Sequence, residues 1–439
     1  MVGQFPKKNL VAVKPLVARK DAPVTASRLK SASYVIIAAG NQQRVRNTVA
    51  EVVHNRQCGS LQGAVCYLTR AWYYASSHSH REGNVDAPYN RNGGLTLVPM
   101  PGFETLARLV KQQIEERRDQ PTPVDIVHPV FGLRVNSEPF LQLGKEHVGG
   151  HDCVVLTSGP GTYEMTGQLF LLLRYLAGRR AARIAVVTGY FPLSRSDKDE
   201  GQLEFALPPL IVDLMVAASC GKLDRIIAVD LHAQQVVMSG RTGFITEVSL
   251  VRRVVHRALS AADITTLGHA PMVVCFPDDT AAKRAEEAVG RAWKDVVGDD
   301  SPFIVHGAKR RKDSKESHLK VLYGDVDKVR GSIVLSFDDE IATGGTNINA
   351  GRVLKDEHGA RAVWAVVTHG VLCGNAAERF SDPACAIDRL FITDTIPVEN
   401  RPALQPLIAS GKLVVVPWWE DLGKIIFFHH WDMSVREMR

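Results

Sequence analysis

The feature that most constrains this chain is a rhythm. From residue 95 to about residue 400, short and almost wholly apolar runs alternate with longer amphipathic ones. Ile184-Ala185-Val186-Val187, Ile226-Ile227-Ala228-Val229 and Met272-Val273-Val274-Cys275 have no polar alternate face. A strand that is apolar on both sides must be covered on both sides, and parallel sheets between helical layers meet that demand. The pattern predicts strands over 95–99, 140–143, 153–157, 184–188, 226–230, 272–276, 303–306, 333–337, 362–368 and 389–393. Helical spacing falls between them, at 103–118, 168–177, 209–220, 281–296, 347–358 and 375–380. The rhythm runs twice, so the expectation is an α/β chain with two tandem domains, each built on a parallel sheet.

The expected divisions follow. Residues 1–93 form a partly disordered N-terminal extension, 94–250 a first α/β domain and 251–400 a second. Residues 401–439 supply a strand and a helix that pack back on the first domain. Within the extension, 33–41 and 44–55 read as a strand and a helix, and 76–94 as a polar loop containing His78 and His80.

Composition narrows the class. Hydrophobic residues make up 45% and charged residues 23%, which suits a soluble folded protein. No apolar run approaches the roughly 20 residues of a membrane span, so no membrane is expected. The seven cysteines are scattered without a Cys-x-x-Cys pair and read as reduced residues, consistent with a cytoplasmic protein. The net charge of +6 comes with few aromatics, which disfavours nucleic acid and leaves small anionic substrates. The first fifty residues hold nine Lys or Arg against Asp21 alone, so a basic tail is expected, with an organellar address also open.

In open α/β sheets, ligands gather beyond the carboxyl ends of strands. Four strand ends therefore matter. The first runs Ile333-Val334-Leu335-Ser336-Phe337-Asp338-Asp339-Glu340-Ile341-Ala342-Thr343-Gly344-Gly345-Thr346. Adjacent acids point to opposite sides of a strand, and one can accept from sugar hydroxyls. The glycines let a phosphate approach backbone N–H groups where a helix begins, with Thr343 and Thr346 adding hydroxyls. The second, Asp230-Leu231-His232-Ala233, sets a carboxylate and an imidazole two apart, suited to a magnesium–nucleotide site. The third, Phe276-Pro277-Asp278-Asp279, opens a helix carrying Lys283 and Arg284. The fourth, Gly189-Tyr190-Phe191-Pro192, leads into a charged loop with Arg195. Each also has a bland alternative: an N-cap acid, a core histidine or a solvated loop. Residues 306–320 are dense in cations, including Lys309, Arg310, Arg311 and Lys312, either a solvated face or a flap over a polyphosphate.

Together, and in order, these motifs resemble the ribose-phosphate diphosphokinases, the phosphoribosyl pyrophosphate synthetases. The resemblance implies two phosphoribosyltransferase-like domains in a homo-oligomer, with ATP and ribose 5-phosphate as substrates and Mg2+ as cofactor. It also implies roles. Asp338 and Asp339 would hold the ribose hydroxyls, Thr343, Gly344, Gly345 and Thr346 the 5-phosphate, and Asp278 the ribose and its metal. His232 would bind magnesium–ATP, with Asp230 beside it as a metal ligand, and Arg195 would contact the ATP phosphates. Lys309 and Arg311 match the family's catalytic loop pair. Thr368-His369-Gly370 and the stretch from Thr393 to Pro397 match later strand ends with structural roles.

Phe276-Pro277-Asp278-Asp279, the 199–202 stretch Asp-Glu-Gly-Gln, and Asn136-Ser137-Glu138-Pro139 are similar to the plant-type, class II branch. Ala342 stands where many members carry an acid, and Arg241 and Ile245 fall near places of further acids. The commoner branch's adenine motif, Phe-x-Asn/Asp-x-Glu, is not recognisable. These departures leave a non-catalytic regulatory relative as a second reading, and a phosphoribosyltransferase as a third.

Overall fold

A computed structural model describes residues 93–435, apart from 145–146, 198–204, 262–270, 278, 299–300 and 314–315. The strand and helix expected at 33–41 and 44–55, and His78 and His80, lie outside the described residues.

Six parallel strands form the first sheet: β1 (Leu95–Pro99), β2 (Val124–Ile126), β5 (Asp152–Thr157), β6 (Arg183–Thr188), β7 (Leu223–Val229) and β8 (Ile245–Val248). Their order is β2-β1-β5-β6-β7-β8. Strands β3 (Pro129–Leu133) and β4 (Pro139–Leu143) make a separate antiparallel hairpin. Helices α1 (Glu104–Glu115), α2 (Tyr163–Gly178) and α3 (Pro208–Ala218) connect and cover the strands. Every residue of β1 and β5 is buried, Thr96 and Asp152 included, as strands covered on both faces demand. Helix α2 begins five residues before its expected start because the Thr162 hydroxyl accepts from the N–H of Met165 and caps it.

Helix α4 (Val251–Ala261) leads to a second sheet. Its strands are β9 (Met272–Phe276), β10 (Phe303–Asp313), β11 (Glu316–Gly324), β12 (Ile333–Ile341), β13 (Ala362–Gly370), β14 (Arg389–Thr393) and β15 (Leu413–Val416). The order is β11-β10-β9-β12-β13-β14-β15, and all neighbours are parallel except β10 and β11. Helices α5 (Asp279–Val296), α6 (Gly345–Arg352), α7 (Ala376–Ser381) and α8 (Gln405–Ala409) accompany it. Two apolar cores lie on this sheet, one containing Val334, Ile348 and Phe380, the other Val255, Phe337 and Trp293.

Three expectations shift. Residues read as either a solvated face or a cationic flap continue β10 into a long hairpin with β11. The acids Asp338 and Asp339 belong to β12 rather than following it, since pairing with β13 runs to Ile341. The helix expected over 347–358 is α6 followed by a single π-helical turn, Val353–Glu357.

The C-terminal segment divides between the cores. Strand β15 extends the second sheet, while α9 (Trp419–His430) buries Leu422, Ile425, Ile426 and Phe427 in the first core. A buried charge cluster fixes that helix. Asp152 of β5 accepts from His430 Nδ1 at 2.8 Å and from Arg183 Nη2 at 2.7 Å. Arg183 also donates to the carbonyls of His429 and His430.

The carboxyl ends of the two sheets face each other at close quarters. A Cβ on Gly189, just past β6, would stand 2.1 Å from the carbonyl oxygen of Thr395, past β14. Only glycine permits that approach. None of the described helices is long and apolar enough to cross a membrane.

Candidate active site

The strand ends that meet across this gap carry most of the residues singled out from the sequence. On the second sheet, Asp338, Asp339 and Glu340 end β12. Alternation along the strand separates the first two. Asp338 Oδ2 accepts from Asn347 Nδ2 of α6 at 3.3 Å, while Asp339 Oδ2 lies 2.8 Å from His232 Nδ1, past β7 on the first sheet. The predicted ribose acid and the predicted nucleotide imidazole therefore touch across the sheets. Both side chains stay partly open to solvent, at 32% for His232 and 19% for Asp339.

Asp230, expected beside His232 as a metal ligand, is tied into the joint between the sheets. Its Oδ2 accepts from Thr368 Oγ1 at 3.0 Å and from the N–H of Leu250 at 2.9 Å. Through Oδ2 the carboxylate ties β13 to the end of the first sheet. Burial pushes its pKa up, although Ser249, Leu250 and His369 act against that shift. The backbone of Asp230 has a left-handed φ of 34°, uncommon for a residue with a side chain and frequent at strand ends that serve sites.

His369 completes the joint. Its Nε2 lies 3.1 Å from the carbonyls of both Val229 and Asp230, so that nitrogen carries the proton. Nδ1 lies 3.0 Å from the Thr395 hydroxyl. The edge of the Tyr190 ring packs on the imidazole, with centroids 5.1 Å apart. Tyr190 donates to Glu340 Oε2 at 2.6 Å, and Arg195 Nε approaches Glu340 Oε1 at 3.4 Å. Burial, with Glu340 alongside, holds the Tyr190 phenol well above its ordinary pKa. Glu340 and Tyr190 were not singled out from the sequence. The signal available was the run of three acids, Asp338-Asp339-Glu340, in which only two were given work.

The glycine loop follows directly. Gly344 adopts a left-handed φ of 76° and caps α6, whose first turn begins at Gly345. The first N–H groups of a helix have no partners within it and are suited to an anion. The loop is braced from behind: Leu372 and Cys373 donate their N–H groups to the carbonyls of Ile341 and Ala342. Arg401 in turn donates to the carbonyls of Gly370, Val371 and Leu372. The cleft beside these strand ends has a volume of about 1180 Å3 and is lined by Asp230, Gln234, Asp338, Asp339 and Thr368, with α4 and α5 opposite.

Lys309 and Arg311 lie two apart in β10, between bulges at 308/309 and at 311/313. Bulges twist and re-aim a hairpin. Asp278 lies outside the described residues, immediately before α5. Among the described residues no three His, Cys, Asp or Glu side chains cluster as a metal site. Mg2+ does not require such a cage: it keeps its waters and takes one or two carboxylates plus substrate phosphates. The partly exposed carboxylate of Asp339, beside His232, fits that limited role.

A family model described as the phosphoribosyl synthetase-associated domain matches residues 303–409. Ribose-phosphate pyrophosphokinase 2 of Schizosaccharomyces pombe is 30% identical over 270 residues, covering 61% of this chain and 77% of that protein. The ribose-phosphate pyrophosphokinase of Hyphomonas neptunium is 33% identical over 296 residues, covering 66% and 85%. The solved phosphoribosylpyrophosphate synthetase of Mycobacterium smegmatis shares the fold, with a TM-score of 0.58 at 24% identity, over 77% of this chain and 99% of that one. By these similarities, the chain belongs to the ribose-phosphate pyrophosphokinase family.

Proposed function

We propose that the chain is a ribose-phosphate diphosphokinase, transferring the β,γ-diphosphoryl group of ATP to O1 of ribose 5-phosphate and giving 5-phosphoribosyl 1-diphosphate and AMP. The observation that carries this reading is the meeting of Asp339 and His232, which sets a ribose-phosphate strand end against a nucleotide strand end across one cleft. A phosphoribosyltransferase would need the acid pair and glycine loop but not the facing sheet.

The ribose hydroxyls bind to Asp338 and Asp339, and the 5-phosphate sits on the loop from Thr343 to Thr346. That leaves O1 directed toward the first sheet, where His232 and Arg195 take the nucleotide. Asp278 assists at the ribose. The ribose 1-hydroxyl then attacks the β-phosphorus in line, and AMP leaves from the opposite side with no covalent enzyme intermediate. Most of the catalysis in such a transfer is positioning and charge stabilisation. Magnesium bound with the triphosphate would neutralise part of its charge, and Asp339 would be among the residues that hold it. Lys309 and Arg311 on the β10–β11 hairpin stabilise the diphosphoryl group in flight. Closure of the cleft excludes water, which would otherwise compete for the same phosphorus.

The plant-type branch is the finer assignment we favour, on Phe276-Pro277-Asp278-Asp279 and on Ala342 within the phosphate loop. A homo-oligomer is proposed with it, in a cytoplasmic setting.

The test is turnover of Lys309→Ala beside wild type. One lost electrostatic donor costs roughly 10²–10³ in turnover, and an unchanged rate would remove Lys309 from the mechanism. Wild-type protein that forms no AMP from ATP and ribose 5-phosphate, yet raises the activity of an added catalytic relative, would establish the regulatory reading instead.

A further inference from the structure

Glu340 has no part in the roles described so far. Its side chain is only 8% exposed, although it follows directly on Asp338 and Asp339, which line the cleft. A buried carboxylate must have each oxygen satisfied, and here the two oxygens divide. Oε2 accepts from Tyr190 at 2.6 Å, and Oε1 faces Arg195 Nε at 3.4 Å. Tyr190 is itself 4% exposed and braced against His369, so the carboxylate is held on a rigid support. Arg195 is the opposite case, with a side chain 64% exposed on a charged loop.

An exposed arginine samples many rotamers, and fixing it costs conformational entropy each time a ligand binds. Glu340 reduces that cost in a particular way. It engages Nε and leaves the two terminal nitrogens, which make no other hydrogen bond or ion pair among the described residues. Those nitrogens form the end of the guanidinium fork suited to two oxygens of a phosphate. The anchor also joins the sheets: Glu340 follows the ribose acids on β12, while Arg195 belongs to the loop after β6.

We propose that Glu340 is a positioning residue that pre-sets Arg195 for the phosphates of the nucleotide, with Tyr190 locking the carboxylate in place. This rests on the diphosphokinase reading and deepens it, because a residue on the ribose strand then tunes affinity for ATP.

The test is a double-mutant cycle read by titration calorimetry, with magnesium–ATP and ribose 5-phosphate titrated separately. Loss of one immobilised long side chain corresponds to roughly a 3- to 10-fold weakening. Glu340→Gln should weaken magnesium–ATP by that factor and leave ribose 5-phosphate affinity unchanged. Tyr190→Phe, which keeps the carboxylate but frees it, should shift ATP affinity in the same direction and by less. In an Arg195→Ala background, Glu340→Gln should have no further effect on ATP. Thermal unfolding of each variant identifies any that fail to fold, and Tyr190→Phe supplies the answer if Glu340→Gln is among them. The inference is overturned if the Glu340 effect persists without Arg195, if it falls equally on ribose 5-phosphate, or if neither variant changes ATP affinity. Wild-type protein that bound neither ligand would overturn the diphosphokinase reading, and this inference with it.

Discussion

Replacing Gly344 by alanine tests the phosphate loop most sharply, because the structure supplies both a strain and a collision. The residue sits at φ 76°, a conformation that costs an alanine about 1 kcal/mol or more. A Cβ placed there would lie 2.5 Å from Cε2 of Phe380, and that ring is only 1% exposed, with nowhere to move. Overfilling a packed site adds roughly 1–3 kcal/mol. The loop can relieve this only by shifting its backbone, which moves N–H groups off the phosphate. A hydrogen bond to a charged group contributes about 1.5–3 kcal/mol, so KM for ribose 5-phosphate should rise roughly 10- to 150-fold while KM for ATP stays near wild type. Gly345→Ala is the control for stability. Its Cβ would meet Arg379 Nη1 at 2.9 Å, the far end of an exposed side chain that can swing away, so melting temperature should not fall. Initial-rate kinetics in both substrates, with thermal unfolding of both variants, decide the matter. A Gly344→Ala protein with wild-type stability and wild-type KM for ribose 5-phosphate would refute the loop assignment.

Other consequences concern stability. Asp152→Asn leaves Arg183 and His430 without their shared buried carboxylate. Breaking a buried pair costs about 3–5 kcal/mol, and the lower end is expected because Arg183 keeps Asp432 at 2.9 Å; urea unfolding followed by tryptophan fluorescence should show it. Burial pushes Asp394 up to about 7, against the hydrogen bond it accepts from the N–H of Trp418. A carboxyl raised in the folded state stabilises at low pH and loses that contribution as pH rises through the folded value. The wild type should therefore lose stability between about pH 4 and 7 relative to Asp394→Asn, and parallel curves for the two proteins would contradict this.

The fold was legible because burial on both faces leaves a mark that composition cannot hide: the runs around Val155, Val186 and Ile227 have no polar partner residues. The hairpin β10–β11 was less legible, since a run of cations suits a solvated loop as well as a strand. The acids and the glycine loop were legible as a unit, because strand, acids, glycines and helix are contiguous, and the structure keeps them at one strand end. The joint between the sheets was not legible. Tyr190 and Glu340 lie 150 residues apart, and Asp230 and Thr368 lie 138 apart, so nothing local records either bond. The bond from Thr368 to Asp230 was hidden for the same reason: its donor arrives from another sheet.

The most direct measurement follows the phosphorus. Purified protein incubated with ATP, ribose 5-phosphate and Mg2+ is examined by 31P NMR, which separates transfer at the β-phosphorus from transfer at the γ-phosphorus. The two sheets facing one cleft predict AMP and 5-phosphoribosyl 1-diphosphate in equal amounts, with no ADP. Formation of ADP, or no AMP at all, would contradict diphosphoryl transfer by this chain.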